Sequence, residues 1–207
     1  IEGIRNISLD DIRYADELGY RIKLLAIIKQ HEGNVELRVH PTLVPKSALL
    51  ANISDVFNGV MVDGDTVGQT LFYGRGAGRM ATASAVVADL ADVAMNIACG
   101  CPRRVSFRPN AQFNAVTKMS DVKSRYYLRL DVNDSQGVMA AITAALAQHG
   151  ISISSLIQHE TIKSGNLVPL VILTHVAREA DIHAAIAEIE NLEAACNRVR
   201  LFRIEDI

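Results

Sequence analysis

The sequence predicts an α+β protein that is built from two units, and three patterns support this class. Several short segments alternate apolar and polar residues, which is typical of strands. Four longer segments carry apolar residues at helical spacing. Short turns rich in Gly, Asn and Asp separate neighbouring strands, which favours antiparallel pairing. The predicted order is an antiparallel sheet with flanking helices, followed by a β-α-β-β-α-β unit.

Composition sets the broad class. The chain has 207 residues, of which 49% are hydrophobic and 21% charged, as in ordinary folded proteins with one or two domains. The net charge of −2 and the scattered Lys and Arg residues argue against nucleic acid or an anionic membrane as a partner. No uninterrupted apolar run reaches the ~18 residues that span a bilayer, and no signal peptide is seen. We therefore expect a cytoplasmic protein without a membrane partner.

The first unit begins with a helix. Ser8 and Asp11 form a capping-box pattern ahead of apolar residues at helical spacing, and Gly19 ends the helix. Four strands are predicted next, at Tyr20–Ile28, Asn34–His40, Val56–Asp63 and Thr66–Tyr73. Tight turns between them predict a four-stranded antiparallel sheet.

A glycine-rich segment joins the last of these strands to a long helix. Gly74, Gly76 and Gly78 leave room for something that a Cβ would exclude, and the helix start offers free N–H groups. The spacing is G-x-G-x-G, however, and the downstream Asp89 and Asp92 fall inside the helix, so a complete dinucleotide site is not indicated. Two alternatives remain: a tight turn that allows close packing, or a loop that completes a cofactor site built mainly by another segment.

The helix after these glycines, Arg79–Ala98, is apolar almost all round. Such a helix is normally buried on two sides. One partner is the predicted sheet, whereas the sequence shows no obvious second partner. Residues 100–124 lack periodicity and are predicted to form a linker or crossover.

The second unit is more regular. Strands are predicted at Tyr126–Val132, Ile151–His159, Leu167–Val176 and Val199–Ile204, helices at Val138–His149 and Glu179–Leu192, and a hairpin loop at residues 163–166. This β-α-β-β-α-β order is that of the ferredoxin-like fold. It predicts an antiparallel sheet with two helices on one face and a bare opposite face. A bare face or open edge in so small a unit commonly binds a second copy of itself.

Few other side chains indicate chemistry. Cys99 and Cys101 are too close for the usual zinc spacing, so with Cys196 they predict reduced, buried or half-buried thiols and no metal site. His40 could serve as an acid or base, but its place at a strand end favours a structural histidine. Lys46 is interpreted as a solvated side chain.

Specific motifs in both units resemble known families. The second unit is similar to an ACT domain, a small regulatory module that commonly binds amino acids, on the motifs Asp131–Met139 and Gly150–Ile153. Residues 135–137 read Ser-Gln-Gly where Pro-Gly is common in that family. The first unit resembles the C-terminal part of the catalytic and dimerisation domain of homoserine dehydrogenase. The matching segments are residues 1–4, 16–25, 40–41, 57–58, 73–78 and 82–89. The predicted division is therefore residues 1–118 and residues 119–207.

The dehydrogenase resemblance implies a reaction and a place for the cofactor. The family interconverts aspartate 4-semialdehyde and homoserine with NADP or NAD, on the route to threonine and methionine. Its nucleotide-binding fold and catalytic lysine lie N-terminal to the position of Ile1, so no catalytic residue is expected in this chain. The resemblance places Gly74, Gly76, Ala77 and Gly78 beside the cofactor. It also implies that the helix after them packs against the nucleotide-binding half.

The ACT resemblance implies an effector site before the first helix of the second unit, formed by Asn133, Asp134, Ser135, Gln136, Gly137, Val138 and Met139. Free N–H groups at that helix start suit an amino acid's carboxylate, and threonine is the expected effector. Strand 152–158 of a second copy is expected to close the pocket, in a homodimer or homotetramer. The alternative is that Asn133 and Asp134 only cap the helix. The alternative function for the whole chain is a stand-alone amino-acid sensor.

Overall fold

The computed structural model describes residues 1–101, 115–158, 167–192 and 198–207. The predicted loop 163–166, Cys196 and most of the predicted linker lie outside these ranges. In chain order, the elements are α1 Leu9–Glu17, β1 Tyr20–His31, β2 Asn34–Pro45, β3 Phe57–Gly64, β4 Gly68–Arg75, α2 Arg79–Ala98, β5 Lys123–Asn133, α3 Val138–Gln148, β6 Ile153–Gln158, β7 Leu167–Thr174, β8 Ala177–Arg178, α4 Glu179–Glu190 and β9 Arg200–Ile204.

Contacts divide the chain into two compact units, residues 1–51 with 113–207 and residues 52–112. The larger unit holds a mixed sheet in the order β1-β2-β9-β5-β7-β6, with β8 paired to β5. Within it, the order β9-β5-β7-β6, combined with α3 and α4, is the ferredoxin-like arrangement. The fold class predicted from the sequence is confirmed.

The predicted four-stranded sheet of the first unit is wrong in its pairing. Strands β1 and β2 form a hairpin that joins the sheet of the βαββαβ unit, because β2 runs parallel to β9 at Thr42↔Arg203 and Leu43↔Ile204. Strands β3 and β4 form a separate hairpin in the smaller unit. Alternation identifies strands but not their neighbours, and β2 gains a partner that lies about 160 positions away in sequence.

Both faces of the large sheet carry an apolar core. On one face, α3 and α4 pack against buried residues such as Leu128, Leu130 and Ile172. On the other face, α1 contributes Ala15 to a second cluster with Tyr127 and Phe202. The prediction of a bare second face is therefore wrong, since α1 from the start of the chain covers it. Helix α1 has the predicted capping box of Ser8 and Asp11.

The smaller unit exposes most of its apolar surface. Helix α2 has the predicted bounds, yet none of its residues is buried by the described part of the chain. Leu90 is 65% exposed and Ile97 is 70% exposed. The expectation that the sheet of this chain buries one side of the helix is wrong, because β1 and β2 belong to the other unit.

Helix α2 is also long and apolar enough, by length and composition alone, to cross a membrane. A core helix passes the same test. Asp89 and Asp92 near its middle would be costly in lipid, so a protein partner fits this helix better.

Candidate functional site

The four residues expected beside a cofactor lie together in one turn. We call residues 74–78 the glycine corner: Gly74 and Arg75 end β4, and Gly76, Ala77 and Gly78 lead into α2. The amides of Gly76 and Ala77 both donate to the Val56 carbonyl oxygen, at 3.0 and 3.2 Å. These two bonds fix the turn against the start of the hairpin.

The three glycines of the corner are required for different reasons. A Cβ on Gly76 would lie 1.8 Å from Nδ2 of Asn58, so the chain's own side chain occupies that space. Gly78 has a φ of 113°, a backbone angle that residues with a side chain rarely adopt. Gly74 has an ordinary φ, and a Cβ there would meet nothing within 4 Å. Within the described chain, Gly74 is therefore the one glycine of the corner at which a side chain would meet neither an unfavourable φ nor a neighbouring atom.

The corner faces outward and offers donors. All its residues are exposed. Gly78 provides no side-chain cap to α2, and the first turn of α2 contains no acidic residue, so the helix start keeps a positive end. Beside it, the guanidinium of Arg75 lies 5.4 Å from the centre of the Phe57 ring, which stacks on Tyr73 at 4.9 Å. An open backbone shelf, next to the uncapped start of α2 and a cation, fits the phosphate or ring of a nucleotide.

The seven residues expected to bind an effector also lie together. The effector loop, residues 133–139, connects the end of β5 to the start of α3. Residues 134–137 are exposed, Val138 is buried, and Met139 packs against the helix-covered core. Gly137 has a φ of 90° and makes no side-chain cap to α3. The N-cap position of α3 is therefore held by Gly137 and not by Asn133 or Asp134.

The strand expected to come from a second copy lies at an edge. Strand β6 pairs on one side with β7 and ends the strand order, which leaves its other side open within the described chain. An open edge is a site for strand addition or for pairing between copies. The glycine corner and the effector loop belong to different compact units.

Sequence reasoning missed a buried ionic cluster in the larger unit. Arg203 on β9 pairs with Glu179 at the start of α4, with Nε to Oε2 at 2.9 Å, and its Nη2 lies 2.8 Å from Oε1 of Glu2. The hydroxyl of Tyr126 donates to Oε2 of Glu179 at 2.8 Å. The sequence contained a sign of this cluster. Because side chains alternate along a strand, Arg203 points to the same side as Leu201, so it faces the core and needs a buried carboxylate. The sequence did not show which one.

The charges of this cluster shift its pKa values. Burial would raise the pKa of Glu179, but the hydrogen bond and charge of Arg203 outweigh it and hold that pKa below the ordinary value. The same opposition lowers the pKa of Glu2. Burial, with the charge of Glu179, raises the pKa of Tyr126, so its hydroxyl stays a donor. The cluster is an ion pair at neutral pH.

A second ionic cluster ties β1 and β2 to the end of β9. Arg38 pairs with Glu205 and, through Nε, with Oε1 of Glu36 at 2.6 Å. Lys29 also reaches Glu205, with Nζ 2.6 Å from Oε2. A further pair joins α1 to β5, where Nε of Arg129 lies 2.5 Å from Oδ1 of Asp11. With the Glu2–Arg203 pair, four ionic contacts among the described residues thus fasten residues 1–51 to the βαββαβ unit.

The remaining candidates have structural places. His40 is buried, accepts from Nη1 of Arg38 at 3.3 Å and lies 3.1 Å from the Pro41 carbonyl oxygen, as the structural interpretation predicts. Burial, together with the nearby arginines, lowers its pKa and keeps it neutral. Lys46 is half-exposed and pairs with Asp16 at 2.7 Å rather than being only solvated. Neither Cys99 nor Cys101 forms a disulfide with a described residue, and both are exposed, so their predicted burial is wrong. No metal-binding cluster occurs among the described residues.

The architecture is thus a βαββαβ unit with an open edge strand, joined to a segment that carries a glycine corner. Family comparison agrees with both parts. Residues 1–91 match the family model of homoserine dehydrogenase, and residues 126–194 match that of the ACT domain. The chain is thus similar to homoserine dehydrogenases over residues 1–91 and to ACT domains over residues 126–194.

Individual relatives give the same result. Homoserine dehydrogenases of Neisseria gonorrhoeae and Pseudomonas aeruginosa are 44% and 43% identical over the whole chain. The solved structure of a homoserine dehydrogenase from Thiobacillus denitrificans is 46% identical and superposes with a TM-score of 0.87 over 99% of the chain. The chain covers 48% of each of these two curated relatives and 47% of the solved one. It therefore spans about half the length of the proteins it matches.

Proposed function

We propose that this chain is the cofactor-facing and regulatory part of a homoserine dehydrogenase that acts in the cytoplasm. In the longer protein, homoserine would give a hydride to oxidised NADP or NAD and release a proton to become aspartate 4-semialdehyde, and the reduced cofactor would return the hydride in the reverse reaction. The single observation that carries this proposal is the match of relatives along the whole chain, combined with the open glycine corner. The catalytic lysine and the nucleotide-binding fold would belong to the part of the relatives that this chain does not cover.

The glycine corner would supply one wall of the cofactor site. Its backbone at Gly74 is open, and the first amides of α2 have no side-chain cap. When bound, the nicotinamide cofactor supplies the hydride. The corner's task is to hold that cofactor at a fixed distance from the substrate, since hydride transfer requires close and constant approach. The amides of Gly76 and Ala77, bonded to Val56, keep the corner rigid.

Substitution of Gly74 tests this role better than substitution of Gly76 or Gly78. A side chain at Gly76 would strike Asn58, and one at Gly78 would strain the backbone, so both changes would disturb the turn without any cofactor. In the longer protein, Gly74→Val should weaken NADPH binding at least about tenfold, which corresponds to about 1.4 kcal/mol. Gly64→Ala at the other end of the hairpin is the control, because its Cβ would make only ordinary contacts, at 3.6 Å with Val67 and 3.9 Å with the Gly68 carbonyl oxygen.

Fluorescence titration of NADPH measures both variants. Unchanged affinity in Gly74→Val would remove the corner from the cofactor site. Equal loss in both variants would mean that the hairpin, rather than the corner, is what the cofactor requires.

Helix α2 would be covered by the rest of the enzyme. Its exposed side chains, such as Leu90, Val93 and Ile97, form an apolar surface that water disfavours. The nucleotide-binding half, or a second copy in a homodimer or homotetramer, would bury it. The predicted boundary between residues 118 and 119 is part of the same proposal.

The effector loop would bind an amino acid, with threonine as the expected effector. The uncapped amides of α3 suit its carboxylate, and the side chains of Asn133 and Asp134, which do not cap α3, can accept from its ammonium group. The open edge at β6 lets a second copy close the pocket. Calorimetry with threonine and with isoleucine tests this site. Heat with threonine that is lost in Asp134→Ala supports it, and no heat with either amino acid contradicts it.

The ionic clusters suggest how effector binding would reach the catalytic region. Glu2, Arg38 and Asp11 fix the first 51 residues to the regulatory sheet, so movement of that sheet would be transmitted to them. Coupling of this kind typically amounts to about 1–3 kcal/mol. A stand-alone sensor is the less supported function, because the match to the dehydrogenase family covers residues 1–91.

A further inference from the structure

A charged cleft of about 380 Å³ lies beside strands β5 and β9 in the larger unit. Its lining consists of Arg129, Leu130, Asp131, Arg198 and Arg200. None of the seven effector-loop residues lines it. It also lies in a different unit from the glycine corner. The proposed function therefore leaves this cleft unused.

Strand register explains why these charges meet. Arg129 on β5 is directly opposite Arg200 on β9, and alternation puts Asp131 on the same face as Arg129. Continued pairing would set residue 198 opposite Asp131, but β9 begins only at Arg200. Among the described residues, no strand pairs with β5 on this side beyond the Arg129–Arg200 pair, and the cleft lies beside that end of β5.

The cleft contains more positive than negative charge. Arg129 is nine-tenths buried and is held by Asp11 and Ser8, while its Nη1 lies 3.9 Å from Oδ1 of Asp131. Arg200 is partly buried and Arg198 is exposed, and within the described ranges neither guanidinium has an ion pair or hydrogen bond. Three arginines against the single carboxylate of Asp131 give the lining a net positive charge, which favours a bound anion.

We propose that this cleft binds a small dianion, a phosphate group or a dicarboxylate. Arg198 and Arg200 supply two planar guanidinium forks, which match the paired oxygens of phosphate and carboxylate. Arg129 lines the inner wall, and its bonds to Asp11 and Ser8 prevent it from leaving. Because those same bonds fix the start of α1, an occupied cleft also stiffens the junction between α1 and the sheet.

The experiment is calorimetric titration of the 207-residue chain with inorganic phosphate and, separately, with succinate, in buffers matched for ionic strength with sodium chloride. In the double variant Arg198→Gln, Arg200→Gln, the Kd should rise at least about tenfold, because both unpaired forks are lost. The matched control is Arg5→Gln, Arg13→Gln, which removes the same charge from two exposed arginines outside the cleft.

The outcomes of the titrations distinguish the two chemical classes of anion. Binding of phosphate alone indicates a phosphorylated ligand, and binding of succinate alone indicates a dicarboxylate. The proposal is overturned if neither probe produces heat with the unaltered chain, or if the control variant loses as much affinity as the cleft variant. The double variant breaks no ion pair with a described residue, so its thermal unfolding should match that of the unaltered chain.

Discussion

The two compact units differ most in where their apolar and charged groups find partners. In the larger unit, α1, α3 and α4 cover both faces of one sheet, and ionic clusters connect distant segments. In the smaller unit, a 20-residue apolar helix has no buried residue. The larger unit therefore has the core of an independent domain, whereas the smaller unit has the surface of an incomplete one. Such a surface indicates a partner beyond the described chain.

The largest expected effect concerns the buried cluster of the larger unit. Glu179→Ala leaves the charge of Arg203 buried with only the half-exposed Glu2, and it should reduce the free energy of unfolding by about 3–5 kcal/mol. Asp181→Ala, which breaks the exposed pair with Arg178, is the control and should change it little. Urea unfolding followed by circular dichroism measures both. Similar small losses in the two variants would show that the cluster does not fasten the unit.

A matched pair of leucines compares the two units directly. Leu146 on α3 is fully buried, so Leu146→Ala should cost about 2–5 kcal/mol of unfolding free energy. Leu90 on α2 is 65% exposed, so Leu90→Ala should leave the unfolding of this chain nearly unchanged. A large loss with Leu90→Ala, measured by urea unfolding, would mean that α2 packs within the chain after all.

Acidification should weaken the larger unit in two stages. His40 has a folded pKa below its ordinary 6.5, so the unfolded chain binds that proton first, and stability falls as the pH drops below about 6.5. Glu179 and Glu2 have folded pKa values below 4.5, so their contribution is present above pH 4.5 and is lost as the pH falls through the folded values. His40→Gln should flatten the first stage and keep the second. Thermal unfolding across pH 3–8 measures both proteins. An unchanged first stage in His40→Gln would show that His40 does not cause it.

The smallest expected change in stability comes from alanine substitutions in the turns at the two proposed sites. Gly137→Ala places a side chain at a φ of 90° and should cost about 1–2 kcal/mol of stability. Gly74→Ala adds a Cβ into open space at an ordinary φ and should be nearly neutral in the same assay. If both changes were neutral, the strain assigned to the effector turn would be absent.

Much of this fold follows from local sequence patterns. The Ser8–Asp11 capping box, the bounds of α2 and the β-α-β-β-α-β order were all predictable, because caps and periodicity act over a few residues. Strand partnership was not predictable, since the pairing of β2 with β9 joins the two ends of the chain. The placement of α1 on the predicted bare face depends on the same long-range contact.

The sites follow the same rule. The glycine corner and the effector loop each lie within one short segment, so the motifs located them as continuous stretches. The cluster of Glu2, Glu179 and Arg203 joins three distant segments, and alternation showed only that Arg203 faces inward. The exposure of α2 was hidden as well, because a helix that packs against another polypeptide has the same composition as a core helix.

Hydrogen exchange along α2 tests the central claim most directly. The 207-residue chain would be compared with the longer dehydrogenase that we propose, with α3 as the internal reference. We expect the amides of Arg79–Ala98 to exchange quickly in the chain alone and to be strongly protected in the longer protein, while α3 is protected equally in both. Equal exchange of α2 in the two proteins would contradict the claim that this helix belongs to an interface with a segment outside the chain.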